Sequence, residues 1–178
     1  MMTKRLKYQL FEYIVFQLDR WYQETNNGKP LQITKLRLQK VLFLLCAVNA
    51  TNDKKGLLTV FTNFAALPLG PVEIDIYDAM NTNQFAHIHF NDNMCMTDEI
   101  NDDTFATIDT KHKEMVDEAI AALKTKKRNY LTMPVFELVE ITHQWTSWQT
   151  AKMIADIVGS KREAISADDI CNSAIKAY

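Results

Sequence analysis

Apolar residues recur at helical spacing near the start of the chain. The side chains that repeat every three or four positions are Leu6, Leu10, Ile14, Leu18 and Trp21. This period predicts a long amphipathic helix over residues 3–24, and the polar segment 26–30, which contains a glycine and a proline, ends it.

A second helix is predicted from Thr34, whose hydroxyl can cap free backbone N–H groups. Ile33 and Leu38 stand at the two positions of a hydrophobic staple. Further along, residues 58–64 suggest a short strand or extended segment, and Pro71 suits the first turn of a third helix that ends near residue 81. Glu73 and Asp75 would then lie at its N-terminal end, where the helix dipole favours negative charge.

Residues 81–109 differ in composition from the rest of the chain, because Asn, Asp and Thr separate short apolar segments. We interpret this stretch as an insertion with short strands, in which 85–90 and 105–108 could pair as a hairpin. Helical signals return afterwards, and the residues that mark the predicted helix starts are Asp109 or Thr110, Thr132 with Pro134, Thr146 with Gln149, and Ser166 with Asp169.

These elements predict a mainly α protein: a single compact domain over 1–178, with about six to seven helices and a small β-hairpin or short strands in the middle. The formal net charge of -2 gives no field that would draw the protein onto phosphate, so nucleic acid is an unlikely partner. Glu12, Asp19 and Arg20 interrupt the first apolar stretch, and we expect neither a signal peptide nor a membrane span. The three cysteines lack any paired spacing, which is typical of reduced thiols and a cytoplasmic location.

The chemistry-bearing residues are sparse. The four glycines include no phosphate-loop or dinucleotide pattern, and no hydrolase or metalloprotease motif is present, so we expect no enzyme and no cofactor. His87 and His89 are a weak metal candidate, because they would share one face of a strand with Cys95 or Asp92 as a further ligand; exposed histidines are the alternative. The basic run 124–128 can contact phosphate or simply suit a helix C-terminus.

Three pieces of the chain together resemble a known family. They are 33–43, the segment 64–77 with its Ala65-Ala66 and Leu69 to Val72 motifs, and 138–151 with Trp148. This combination resembles the Panacea domain, also described as SocA-like or phage-associated antitoxins, across roughly residues 30–155. Phe43 stands where the family commonly has Tyr, and Ala66 stands where an aromatic residue is frequent.

The resemblance implies a protein that neutralises a cognate toxin, either by direct binding or by delivering the toxin to a protease. A nucleic-acid-binding regulator is a further alternative, and the oligomeric state stays open. We expect the helix carrying the first motif and the segment 70–77 to frame a toxin-contacting groove, although the same residues also suit turns and core packing. The partner-binding residues predicted in this way are Lys35, Arg37, Gln39, Lys40, Gly70, Pro71, Val72 and Tyr77.

Overall fold

The computed structural model describes residues 4–178. Its helices are α1 (Lys4–Thr25), α2 (Lys35–Val48), α3 (Ile74–Thr82), α4 (Thr110–Lys124), α5 (Val135–His143), α6 (Thr146–Val158) and α7 (Ala167–Cys171). The strands are β1 (Phe64–Leu67), β2 (Gly70–Glu73), β3 (Ile88–Asn91), β4 (Met94–Thr97) and β5 (Glu163–Ile165). The predicted fold class, mainly α with a minor β component, is confirmed.

Helix α2 lies at the centre of the fold. Every residue from 38 to 47 is buried, as expected for a helix that is surrounded on all sides. Its N-cap is Thr34, as predicted, whose hydroxyl accepts a hydrogen bond from the Arg37 amide, and Ile33 and Leu38 are both buried. The main core gathers around α2, with contributions from α1 through to α7.

Two small antiparallel sheets accompany the helices. The three-stranded sheet has the order β2-β1-β5, so β2 and β5 are its edges. Helix α6 contacts both β1 and β5. The second sheet is the hairpin of β3 and β4, where Phe90 lies opposite Cys95 and His89 lies opposite Met96. Within residues 4–178, none of the helices combines the length and apolar character that crossing a membrane requires.

Three sequence predictions need correction around the strands. Residues 56–59 form a 3₁₀ turn, and the strand begins only at Phe64. Pro71 lies in β2 instead of a helix, because β2 is an edge strand and an edge tolerates a residue without an N–H. Residues 85–90 and 105–108 do not pair; β3 pairs with β4, and Phe105 ends a second 3₁₀ turn. The turn at 92–93 supplies the hairpin, with Asp92 in the left-handed region.

The predicted helix starts in the last part have mixed outcomes. Asp109 caps α4, and Ser166 with Asp169 forms the predicted capping box of α7. Helix α5 begins at Val135 with Pro134 as its N-cap residue. For α6 the N-cap is Trp145, so Gln149 completes no capping box and instead donates to the His143 carbonyl. Gly159 ends α6 in the left-handed conformation.

Candidate functional site

The outer edge of strand β2 is covered by two neighbouring side chains of α2. The Gln39 Oε1 accepts from the Glu73 amide at 2.9 Å, while its Nε2 donates to the Glu73 carbonyl at 3.4 Å. The Lys40 Nζ donates to the Pro71 carbonyl at 2.8 Å. Gln39 therefore takes the place of a missing neighbouring strand, and Lys40 satisfies the next outward carbonyl. We call this arrangement the closed edge.

Proline suits the closed edge for a definite reason. In an antiparallel ladder, alternate residues direct their backbone groups to opposite sides, so Pro71 and Glu73 both face away from β1. The Pro71 position therefore has no ladder bond to donate, and its missing N–H removes a group that would otherwise need a buried partner.

Lys40 is fully buried and forms no ion pair among residues 4–178. Burial lowers the pKa of its ammonium group to about 7, because the charged form loses its hydration. Side chains pack closely against Gly70 here: a Cβ on Gly70 would meet the Thr142 Oγ1 at 2.6 Å and the Lys40 Nζ at 3.1 Å. Gly70 also has φ +102, a region that side chains rarely adopt.

Glu73 connects the closed edge to α1 and α3. Its Oε2 accepts from the Ile76 amide and caps α3, while its Oε1 accepts from the Lys7 Nζ at 2.6 Å. Lys7 also bonds Asp75 at 2.6 Å. Burial raises the pKa of Glu73, and the Lys7 ammonium acts in the opposite direction. A buried carboxylate at this point is therefore held by a cation and a helix N-terminus.

The other polar residues of α2 bond to different parts of the molecule. The Arg37 guanidinium donates to the carbonyls of Tyr130 at 2.8 Å and Met133 at 2.7 Å, which fastens the connection between α4 and α5. The Lys35 Nζ donates to Asn81 on α3 and lies 5.6 Å from the centre of the Phe90 ring.

The eight predicted partner-binding residues thus divide into two groups. Those that the structure brings together at the closed edge are Gln39, Lys40, Gly70, Pro71 and Val72, all of them buried. The two segments are in direct hydrogen-bonded contact, so in this conformation their buried side chains offer no surface to a partner. Lys35 and Arg37 are partly exposed, and Tyr77 on α3 is 40% exposed. Contact of these residues with a toxin stays a prediction.

The third segment that resembles the family, residues 138–151, packs against the turn between β1 and β2. The His143 ring stacks on Trp148, with 4.0 Å between centroids, and the Trp148 indole N–H donates to the Leu67 carbonyl at 3.1 Å. Burial lowers the pKa of His143. Its Nε2 has no hydrogen-bond partner within the described residues. The stack positions α5 and α6 against the turn of β1 and β2.

The metal candidate does not assemble as the sequence suggested. His87 precedes β3, and its amide donates to Glu12. His89 lies on the exposed face of β3, whereas Cys95 is buried on the other face. In the part of the chain that the structure describes, no group of three or more His, Cys, Asp or Glu side chains could hold a metal ion. The basic run is partly engaged, since Lys124 pairs with Glu24 and Lys126 lies over the Tyr178 ring.

Sequence reasoning missed a second surface, which lies beside the opposite edge of the sheet. A groove of about 400 Å³ runs between α6, β5 and the α7 region, and its lining includes Ser147, Ile154 and Ala164. Helix α6 continues this groove with exposed apolar side chains, which we call the α6 stripe: Met153, Ile154, Ile157 and Val158. The sequence contained a signal for this surface. Helix α6 carries the four apolar residues of the stripe in addition to the buried Ala151 and Ala155, which is more apolar residues than a helix with one core-facing side requires.

The fold defines a class: a mainly helical domain whose central helix covers one edge of a three-stranded sheet with buried polar side chains. Within that class, the chain belongs to the antitoxin SocA-like, Panacea domain family, whose model matches residues 38–149. The match includes the closed edge and the Trp148 stack, and it ends before the α6 stripe. No curated protein and no solved structure matches the chain.

Proposed function

We propose that this protein is an antitoxin that neutralises a cognate toxin by binding the toxin directly. The observation that carries the proposal is membership of the SocA-like antitoxin family over residues 38–149. We further propose that the protein acts by masking a toxin surface and not by catalysis.

The distribution of apolar side chains supports direct binding. Four large apolar residues cluster at the end of α6, where Ile157 is 76% exposed and Val158 is 64% exposed. Contiguous apolar surface of this kind is typical of protein interaction sites. A toxin that covers it would gain the free energy of removing these side chains from water.

The exposed members of the predicted site, Tyr77 and Lys35, give a second contact for the toxin in this proposal. Tyr77 is 40% exposed on α3, and Lys35 bonds Asn81 on the same helix, so both lie on the surface near the α2–α3 contact. Tyr77→Ala and Lys35→Glu test this contact in a folded protein. Charge reversal at Lys40 is unsuitable, because a carboxylate would replace a fully buried ammonium and face the Pro71 carbonyl.

The test of the proposed function is co-expression of this protein with the product of each flanking reading frame. We expect one product to arrest growth alone, growth to be restored by this protein, and the two proteins to co-purify. Restored growth with disappearance of the toxin would replace direct masking by delivery to a protease. Absence of toxicity from either flanking product would overturn the proposal.

A further inference from the structure

The outer edge of β5 differs from that of β2, because among residues 4–178 no side chain bonds it as Gln39 and Lys40 bond the edge of β2. Ala65 of β1 forms its backbone hydrogen bonds with Val72 of β2. Backbone groups of successive residues in a strand point to opposite sides, so those of Phe64 and Ala66 point toward β5. Their partners Ile165 and Glu163 therefore use their backbone groups in the ladder. The N–H and C=O of Ala164 face outward, and Ala164 is exposed. We call this the open edge.

The open edge lies beside the groove that the α6 stripe borders. Ala164 and Ile154 both line this groove. Ser147, which also lines it, is 6% exposed, and its hydroxyl has no hydrogen-bond partner among the described residues. Backbone groups of β5 and apolar side chains of α6 thus lie along one concave surface.

The charge at one end of this surface is positive. Lys161 and Arg162 immediately precede β5, are exposed, and form no ion pair among residues 4–178. Glu163 is half-buried inside the groove, so the two cations dominate the exposed turn. A partner segment that carries a carboxylate at this end would complement them.

We propose that the open edge and the α6 stripe receive an extended segment of the toxin, which adds a strand beside β5. The segment would exchange hydrogen bonds with Ala164, place apolar side chains on the α6 stripe and present an acidic residue to Lys161 and Arg162. An extended occupant is favoured because outward N–H and C=O groups on a strand edge pair with another extended backbone. This inference rests on the proposed function, since the segment belongs to the toxin.

The closing experiment uses the flanking product whose toxicity this protein relieves. Binding of that product is measured for the unaltered chain, for Ile154→Lys and Ile157→Lys, and for the double change Lys161→Glu with Arg162→Glu. The matched control is Met96→Lys, which places the same charge on an exposed apolar position of the β3–β4 hairpin. We expect each α6 change to weaken binding on the order of tenfold or more, and the control to leave it unchanged.

Hydrogen exchange identifies the contribution of the strand edge. The Ala164 amide should exchange quickly in the free protein and on the order of tenfold or more slowly in the complex. Unchanged exchange at Ala164, or full binding by both α6 variants, would overturn the inference while leaving the proposed function intact. Failure of the unaltered chain to bind either flanking product would overturn both the inference and the proposed function. If the free protein forms a dimer that Ile157→Lys separates, the occupant is a second copy and the inference is wrong.

Discussion

The two edges of the three-stranded sheet have opposite environments. At the closed edge, Gln39 and Lys40 bond the outward groups of β2, and every residue of that strand is buried. At the open edge, Ala164 faces outward beside a groove and an exposed apolar stripe. An uncovered strand edge invites pairing with another chain, and the fold removes that possibility on one side only. The difference supports the proposal that β5 receives a partner, whereas the outer groups of β2 are already bonded within the fold.

The family match follows the same division. It covers 38–149, which includes the closed edge with its buried polar contacts. The open edge and the α6 stripe lie beyond residue 149. Substitutions at the closed edge should therefore lower stability, while substitutions at the open edge should leave it unchanged.

The largest expected effect is from Gly70→Ala. Its Cβ would meet the buried Thr142 Oγ1 at 2.6 Å, and φ +102 is strained for alanine. We expect a loss of about 3 kcal/mol or more in the free energy of unfolding, measured by urea denaturation. The matched control is Gly28→Ala, which has φ +72 and nothing within 4 Å, and should lose only about 1 kcal/mol. Equal losses in the two variants would show that close packing at Gly70 is unimportant.

The next effect is from Gln39→Ala, which removes the side chain that bonds both backbone groups of Glu73. The Glu73 N–H would be left buried without a partner, whereas its C=O, as that of the N-cap residue of α3, keeps the first intrahelical bond. We expect a loss of about 2–3 kcal/mol. Gln144→Ala is the control, because that glutamine is exposed at the end of α5. Thermal and urea unfolding measure both variants. A loss below about 1 kcal/mol for Gln39→Ala would mean that water replaces the amide and that the edge is not closed.

Lys40 makes the closed edge sensitive to pH. Its pKa is about 7 in the folded protein against an ordinary value of 10.5, so between these values the unfolded chain binds a proton that the folded chain does not. The free energy of unfolding therefore rises with pH through that window, by up to about 1.4 kcal/mol per pH unit. Below about pH 7 Lys40 is protonated in both states, and the full cost of burying its charge lowers the stability of the fold. The pKa of His143, lowered from 6.5, lies below the window.

Lys40→Met removes this titration, so the variant should lack the part of the pH slope that belongs to Lys40. Urea unfolding at several pH values between 7 and 9 measures the slope for both proteins. Parallel curves for the variant and the unaltered chain would show that Lys40 keeps its ordinary pKa and is in contact with water.

Sequence patterns predicted the elements whose signals are local. Thr34, Asp109 and Ser166 cap helices as their side chains suggested, because an N-cap bond involves only residues three apart. The family resemblance, carried by the segments around α2 and β2, is confirmed. These features depend on neighbours in the chain, which the sequence displays directly.

The errors concern residues whose environment is set by distant partners. Pro71 looked like a helix start, but Lys40 and Gln39 of α2 make its segment a covered strand edge. The pairing of β3 with β4 depended on the turn at Asp92, a non-glycine residue in the left-handed region. Ala164 carries no polar side chain at all, so the open edge could be located only after β5 had been placed beside β1.

The smallest expected effect on stability is from Ile157→Lys, and it sharpens the comparison most. Ile157 is 76% exposed on α6, so its replacement removes little buried apolar area and keeps a residue with good helix propensity. We expect the free energy of unfolding to change by no more than about 0.5 kcal/mol, measured by urea denaturation beside Gln39→Ala. Unchanged stability together with weakened toxin binding would assign Ile157 to the partner. A loss comparable with that of Gln39→Ala would instead show that the α6 stripe supports the fold, and the distinction between the two edges would no longer hold.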